Sequence, residues 1–164
     1  MNTKETWLIQ TAEETDIEDL VNARIAYLSE DHGELTKEEN ETIRRDLPGY
    51  FQKHLNKEIF CYIIRKEGLF IASGFLLIIE KPMSPSFING RTGTVLNVYT
   101  KPEYRHQGCG RAIIQKILAE AERLDLCHVE LKATEDGYPL YLSAGFKDSP
   151  SKYHDMKWVN PRYE

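Results

Sequence analysis

Apolar residues recur along this chain at two different periods, and the switches between them outline the elements. Residues 7–10 read as a short first strand. Ile17, Leu20, Val21, Ile25 and Leu28 then fall on one face of a helix reaching about Ser29. Thr15 and Glu18 form a capping box at its start. A second box, Thr36 to Glu39, opens another helix. Pro48-Gly49 is expected to interrupt it, with a shorter helix resuming to about Leu55. Residues 58–65 and 69–80 are strand-like and joined by a tight Glu67-Gly68 turn, which makes a hairpin. Residues 81–90, with two prolines and a glycine, form a loop, and 92–100 form the next strand. The clearest helical period covers 111–124, through Ile113, Ile114, Ile117, Leu118, Ala121 and Leu124. A short buried strand at 129–133 and a short helix at 139–144 follow, with Gly145 as the αL cap. Beyond Phe146, the residues Tyr153, Met156, Trp158 and Val159 suggest one or two closing strands. This order predicts an α/β domain with a mixed central sheet flanked by helices.

Between the strand at 92–100 and the helix at 111–124 lies the run Tyr104-Arg105-His106-Gln107-Gly108-Cys109-Gly110-Arg111. Its glycines let the backbone approach a ligand closely. The first helical turn aims unpaired N–H groups and the positive end of its dipole at the loop. Such a junction is an anion site, and a pyrophosphate suits it. A P-loop needs Lys-Ser or Lys-Thr after its last glycine, and Arg111-Ala112 stands there. A dinucleotide fingerprint needs a third glycine, and Ile113 occupies that place. What remains is Arg-x-x-Gly-x-Gly, filled by Arg105, Gly108 and Gly110.

This pattern resembles the coenzyme A pyrophosphate loop of the GNAT superfamily of N-acetyltransferases. The approach segment Asn97-Val98-Tyr99-Thr100-Lys101-Pro102-Glu103-Tyr104-Arg105 is similar to that family's strand-to-loop junction. So is the later run Asp136-Gly137-Tyr138-Pro139-Leu140-Tyr141-Leu142-Ser143-Ala144-Gly145-Phe146 to its closing signature. The resemblance is strongest over residues 92–147 and implies the GNAT fold for one domain, 1–164. In that fold the fourth and fifth strands splay and pantetheine passes between them. Acetyl-CoA is the implied cosubstrate. Its pyrophosphate would be wrapped by Arg105, His106, Gln107, Gly108, Cys109, Gly110 and Arg111. The strand end Val98, Tyr99 and Thr100 would bond pantetheine through the main chain, with the N–H near Tyr99 polarising the thioester carbonyl. Thr134 stands where many relatives carry an Asn that touches the cofactor, a departure that puts this contact in doubt. Tyr141 matches the family's general acid, which protonates the departing thiolate. Small Cys109 is expected to fill space under the loop.

No general base stands out. Asn97 lies where a carboxylate would be convenient, and an amide is no base. Glu80, Glu30, Asp31 and Glu34 are the carboxylates to consider, and ordered water is the alternative. The acceptor reads as a primary amine of a small molecule or peptide. A protein N-terminus or lysine, or a catalytically silent acyl-CoA sensor, are the competing readings. The Glu-rich stretch 31–55 would line the acceptor site as a narrow pocket or an open groove, with Tyr50-Phe51 suited to a lid or to helix core.

Composition narrows the setting. The 164 residues, 41% of them hydrophobic, suffice for a packed core. The formal net charge of −5 argues against nucleic acid and for a cationic substrate. Cys61, Cys109 and Cys127 make neither a metal pattern nor a disulfide framework, and no metal is expected. No apolar run has membrane-spanning length, and the first residues lack a signal-peptide core, so a cytoplasmic protein is expected. Relatives often dimerise through their C-terminal strands, and Trp158, Val159 and Tyr163 would suit a homodimer contact or core completion.

Overall fold

The computed structural model describes residues 6–164. The stretch 1–5, read above for a signal-peptide core, lies outside the described residues. Five strands form one sheet in sequence order: β1 (Ile9–Thr11), β2 (Ile59–Lys66), β3 (Leu69–Glu80), β4 (Arg91–Thr100) and β5 (Val129–Glu130). The first four are antiparallel, and β5 runs parallel to β4. Helices α1 (Ile17–His32) and α2 (Lys37–His54) cover one face. Helix α3 (Cys109–Arg123) covers the other, with α4 (Tyr138–Ser143) against it. Strand β2 shows why its sequence is apolar at nearly every position. Cys61 and Ile63 join the core under α1 and α2, while Tyr62 and Ile64 join the core under α3. A strand buried on both faces reads as a continuous apolar run.

Helix α3 anchors the second core through Ile113, Ile114 and Ile117, all fully buried. Each such side chain contributes roughly 1.5–3 kcal/mol. Among the described residues no helix is long and apolar enough to cross a membrane. None of their His, Cys, Asp and Glu side chains form a group of three placed to hold a metal.

Four elements differ from expectation. The box at Thr15 and Glu18 gives way to one at Glu13, whose N–H donates to Asp16 Oδ2 at 2.8 Å and opens a 3-10 turn ahead of α1. Arg65 fixes that choice by holding Asp16 and Asp19, each at 2.7 Å. Helix α2 runs through Pro48 without interruption. A proline removes one backbone hydrogen bond and crowds the preceding turn, and here the next turn is held by buried Phe51, edge-on to Phe75 at 5.9 Å. The strand expected at 129–133 pairs only at Val129 and Glu130. The closing strands expected after Phe146 do not form among the described residues.

The hairpin turn is as read. Glu67 and Gly68 have φ of 51° and 78°, the signs a two-residue type I′ turn needs. Glu67 carries a Cβ into the left-handed region, which disfavours it. Replacing Glu67 by Asn should stabilise the fold by about 0.5–1 kcal/mol. The urea midpoint would rise at unchanged slope, and a lowered midpoint would contradict this account of the turn.

Candidate active site

The site begins with an irregularity in β4. Ser73 pairs with Tyr99 and Phe75 with Leu96, so Asn97 and Val98 together face Gly74. This is a β-bulge, and Asn97 sits in it at φ 54°. Asn97 is 2% exposed, and Ser73 Oγ donates to its carbonyl at 3.3 Å. The bulge re-aims the end of β4. Because β5 pairs with β4 only at Gly93 and Thr94, the strands part beyond that point. A cleft of about 930 Å³ opens between the end of β4, the loop before α3 and the segment after β5.

The loop is shaped by its backbone. His106 has φ 61°, and Gly108, at φ 89°, is the N-cap of α3. The helix starts at Cys109, two residues earlier than its apolar period indicates. The N–H groups of Gly110 and Arg111 are therefore open donors of the first turn. Ala112 is the first to bond back, to the Gly108 carbonyl at 3.0 Å. A Cβ on Gly110 would lie 3.1 Å from Leu140 Cδ2, so this glycine lets α3 and α4 approach. Trp7 steadies the loop by donating Nε1–H to the Gln107 carbonyl at 2.8 Å. Cys109 is 2% exposed, with its sulfur 3.9 Å from the Tyr104 carbonyl, and fills the space beneath the loop.

Val98, Tyr99, Thr100, Arg105, His106, Gly108, Cys109, Gly110, Arg111, Thr134 and Tyr141 all line this cleft. Gln107 does not; its side chain turns back to the Glu103 carbonyl at 3.3 Å. Arg105 acts as a strut. Its Nε–H donates to the Thr100 carbonyl at 2.9 Å, and its Nη2 meets both Glu30 oxygens at 2.6 and 2.8 Å. Its guanidinium also lies over the Tyr99 ring. Arg111 reaches across to Ser143 Oγ at 3.2 Å and ties α3 to α4. The Thr134 hydroxyl accepts the Gly137 N–H at 3.2 Å and shapes the entry to α4.

Tyr141 is held by the way α4 ends. Gly145, at φ 102°, donates its N–H to the Leu142 carbonyl at 3.1 Å, and Phe146 donates to the Tyr141 carbonyl at 3.0 Å. These are the two bonds of a Schellman motif, and its usual apolar contact is the edge-on pair of Tyr141 and Phe146. The Gly-Phe dipeptide thus fixes the ring that faces the cleft. Burial, with a smaller contribution from Tyr27, pushes the Tyr141 phenol up to about 12. The hydroxyl is therefore a proton donor at neutral pH.

Of the carboxylates considered, Glu30 and Asp31 line the cleft, and Glu30 is bound to Arg105. Glu80 lies at the opposite end of the sheet, paired with Arg91 at 3.0 Å, and Glu34 does not line the cleft. Tyr27 and Lys132 also line it and were missed in the sequence. Tyr27, Glu30 and Asp31 share the spacing of one helix face, a signal available for α1. Nothing local marks Trp7.

Residues 57–148 match the family described as the acetyltransferase (GNAT) domain. A predicted acetyltransferase from Clostridium acetobutylicum, solved with acetyl-CoA, is 25% identical with a TM-score of 0.81. The match covers 93% of this chain and 96% of that one. A GCN5-related N-acetyltransferase from Ralstonia eutropha JMP134, at 24% identity and TM-score 0.72, shares the fold over 93% of this chain and 99% of that one. A curated relative, the chloroplastic GCN5-related N-acetyltransferase 2 of Arabidopsis thaliana, is 29% identical over 65 residues. That stretch is 40% of this chain and spans only 25% of the relative's length.

Proposed function

The chain belongs to the GNAT acetyltransferase family, and we propose that it transfers the acetyl group of acetyl-CoA to a primary amine of a small molecule or peptide. The observation that carries this reading is one cleft that joins the N-terminus of α3 to a half-buried tyrosine. At one end stand the first-turn N–H groups of α3, with His106 and Arg111 beside them. Further along, Tyr141 faces the cleft from α4, and Glu30 and Asp31 face it from α1. The Clostridium acetobutylicum relative, solved with acetyl-CoA, supports the choice of cosubstrate.

Acetyl-CoA brings an activated thioester. The amine nitrogen attacks its carbonyl carbon directly in a ternary complex, so the C–N bond forms as the C–S bond breaks. The N–H groups of α3 hold the phosphates. The end of β4, left without a parallel partner by the splay, aligns the pantetheine arm and polarises the carbonyl through the backbone near Tyr99. Tyr141 gives its proton to the departing sulfur. Asp31 attracts a cationic amine, which sheds its proton to water in the cleft, while Glu30 is taken up by Arg105. The same reading takes the protein to act in the cytoplasm on an amine rather than on nucleic acid, in keeping with its net charge of −5.

The test is acetyl-CoA-dependent release of free thiol against polyamines, amino acids, aminoglycosides and short peptides with free N-termini or lysines. A clear hit is expected and names the acceptor class. Tight acetyl-CoA binding with silence across the panel would point to a sensor or to a specific protein acceptor. Absence of binding would overturn the reading at its phosphate site.

A further inference from the structure

Helix α1 is fastened by an arginine at each end. At its start Arg65 of β2 holds Asp16 and Asp19, each at 2.7 Å. The buried residues of the helix are Ile17, Leu20, Val21, Ala23 and Ile25. Core packing therefore secures its first half. Residues 26–29 are half-buried and 30–32 exposed, so the last two turns gain far less from burial. Those turns carry Tyr27, Glu30 and Asp31, which face the cleft. Glu30 joins them to the opposite wall, because its two oxygens accept from Arg105 Nη2 at 2.6 and 2.8 Å.

The same guanidinium is engaged twice more. Its Nε–H donates to the Thr100 carbonyl at 2.9 Å, and it lies over the Tyr99 ring. Tyr99 and Thr100 are the strand end that aligns pantetheine in the proposed reaction. A guanidinium presents its donors in a fixed fork. Turning it toward a phosphate would break the Thr100 bond and leave the Glu30 carboxylate without its partner. The cleft has other donors for phosphate: the open N–H groups at the start of α3 and the side chains of Arg111 and Lys132.

We propose, on the acetyl-transfer reading, that Arg105 is a positioning residue and not a ligand of the phosphates. It ties the last two turns of α1 to the end of β4, and so sets the gap in which the amine meets the thioester carbonyl. Its part in the reaction is the mutual alignment of two reactants.

The test titrates two ligands: acetyl-CoA, and adenosine 3′-phosphate 5′-diphosphate, which carries the same phosphates without the pantetheine arm. Arg105→Gln should leave affinity for the fragment unchanged and weaken acetyl-CoA about threefold to tenfold, the weight of one or two hydrogen bonds. Arg105→Lys keeps the charge, loses the fork and should behave the same way. Glu30→Gln should also leave fragment affinity unchanged. In each variant amide hydrogen exchange at residues 26–32 should quicken, while residues 17–25 keep their protection. The infrared carbonyl band of bound acetyl-CoA, isotope-labelled at the acetyl group, should move back toward its position in free acetyl-CoA. Circular dichroism should stay as in wild type, because neither Arg105 nor Glu30 is buried.

Fragment binding weakened by Arg105→Gln and restored by Arg105→Lys would make Arg105 a phosphate ligand and overturn the proposal. So would tighter fragment binding by Glu30→Gln, which means that the phosphates and Glu30 compete for one guanidinium. Unchanged exchange at 26–32 or an unmoved carbonyl band would overturn it too. A wild type that binds neither ligand would instead overturn the acetyl-transfer reading, and the proposal with it.

Discussion

Replacing Tyr141 by Phe should lower turnover at least about tenfold while leaving acetyl-CoA affinity nearly unchanged. The substitution removes one oxygen and keeps the ring. The edge-on contact with Phe146, at 5.8 Å, survives it. So does the close seating against Gly137, where an added Cβ would already lie 3.0 Å from Tyr141 Cε2. In the proposed reaction, what is lost is the proton offered to the leaving sulfur, an interaction that matters in the transition state and not in binding. Unchanged turnover would remove Tyr141 as the acid, and a loss confined to affinity would make it a binding residue. The phenol also has a signature in pH. Burial raises it to about 12 in the folded protein, against 10.0 for an ordinary tyrosine. A group whose value is raised by folding contributes its full stability below the unfolded value and loses it as pH climbs through the folded one. Wild type and Tyr141→Phe should thus show parallel stability profiles below about pH 10. Above it the wild type should lose stability faster.

Gly74→Val should destabilise the fold by about 3 kcal/mol and weaken acetyl-CoA binding as well. A Cβ on Gly74 would fall far inside contact distance of Ile113 Cγ2 and 3.2 Å from Ile117 Cδ1. Both isoleucines are fully buried in α3, so neither has room to yield. Relief comes only by moving the helix, and the first turn of that helix is the proposed anion site. One small residue in β3 therefore sets the position of the phosphate loop through the body of α3. Urea denaturation and acetyl-CoA titration of the same variant would read both effects. In a double-mutant cycle, Ile113→Ala should cost much less on a Gly74→Ala background than alone. Strict additivity would show that this contact is not the cause.

Local signals were legible where the physics is local. The period through Ile113, Ile114 and Ile117 gave α3, and the glycines with Arg105 marked the loop before it. The Tyr-Leu-Ser-Ala-Gly-Phe run marked the end of α4 because a Schellman motif is written in consecutive residues. Partners distant in the chain were not legible. The bulge at Asn97 depends on Gly74 across the ladder, and a strand pattern alone carries no register. Arg105 reads as a phosphate ligand, but Glu30, 75 residues away, takes much of its guanidinium. Pro48 reads as a helix stop, but Phe51, anchored against Phe75, holds the next turn in place. The stretch at 153–159 reads as a strand because a propensity states what a segment suits, not where its ladder stands.

The pairing of β4 with β5 lasts for only two residues, Gly93 with Val129 and Thr94 with Glu130. Few rungs bridge that seam, and each hydrogen bond contributes only about 1 kcal/mol net. Past Thr94 and Glu130 the two strands separate, so the far end of β4 has no neighbour on this side. A slender stretch of a ligand has room to lie in that gap as an added strand would, with its bulkier ends on either side of the sheet.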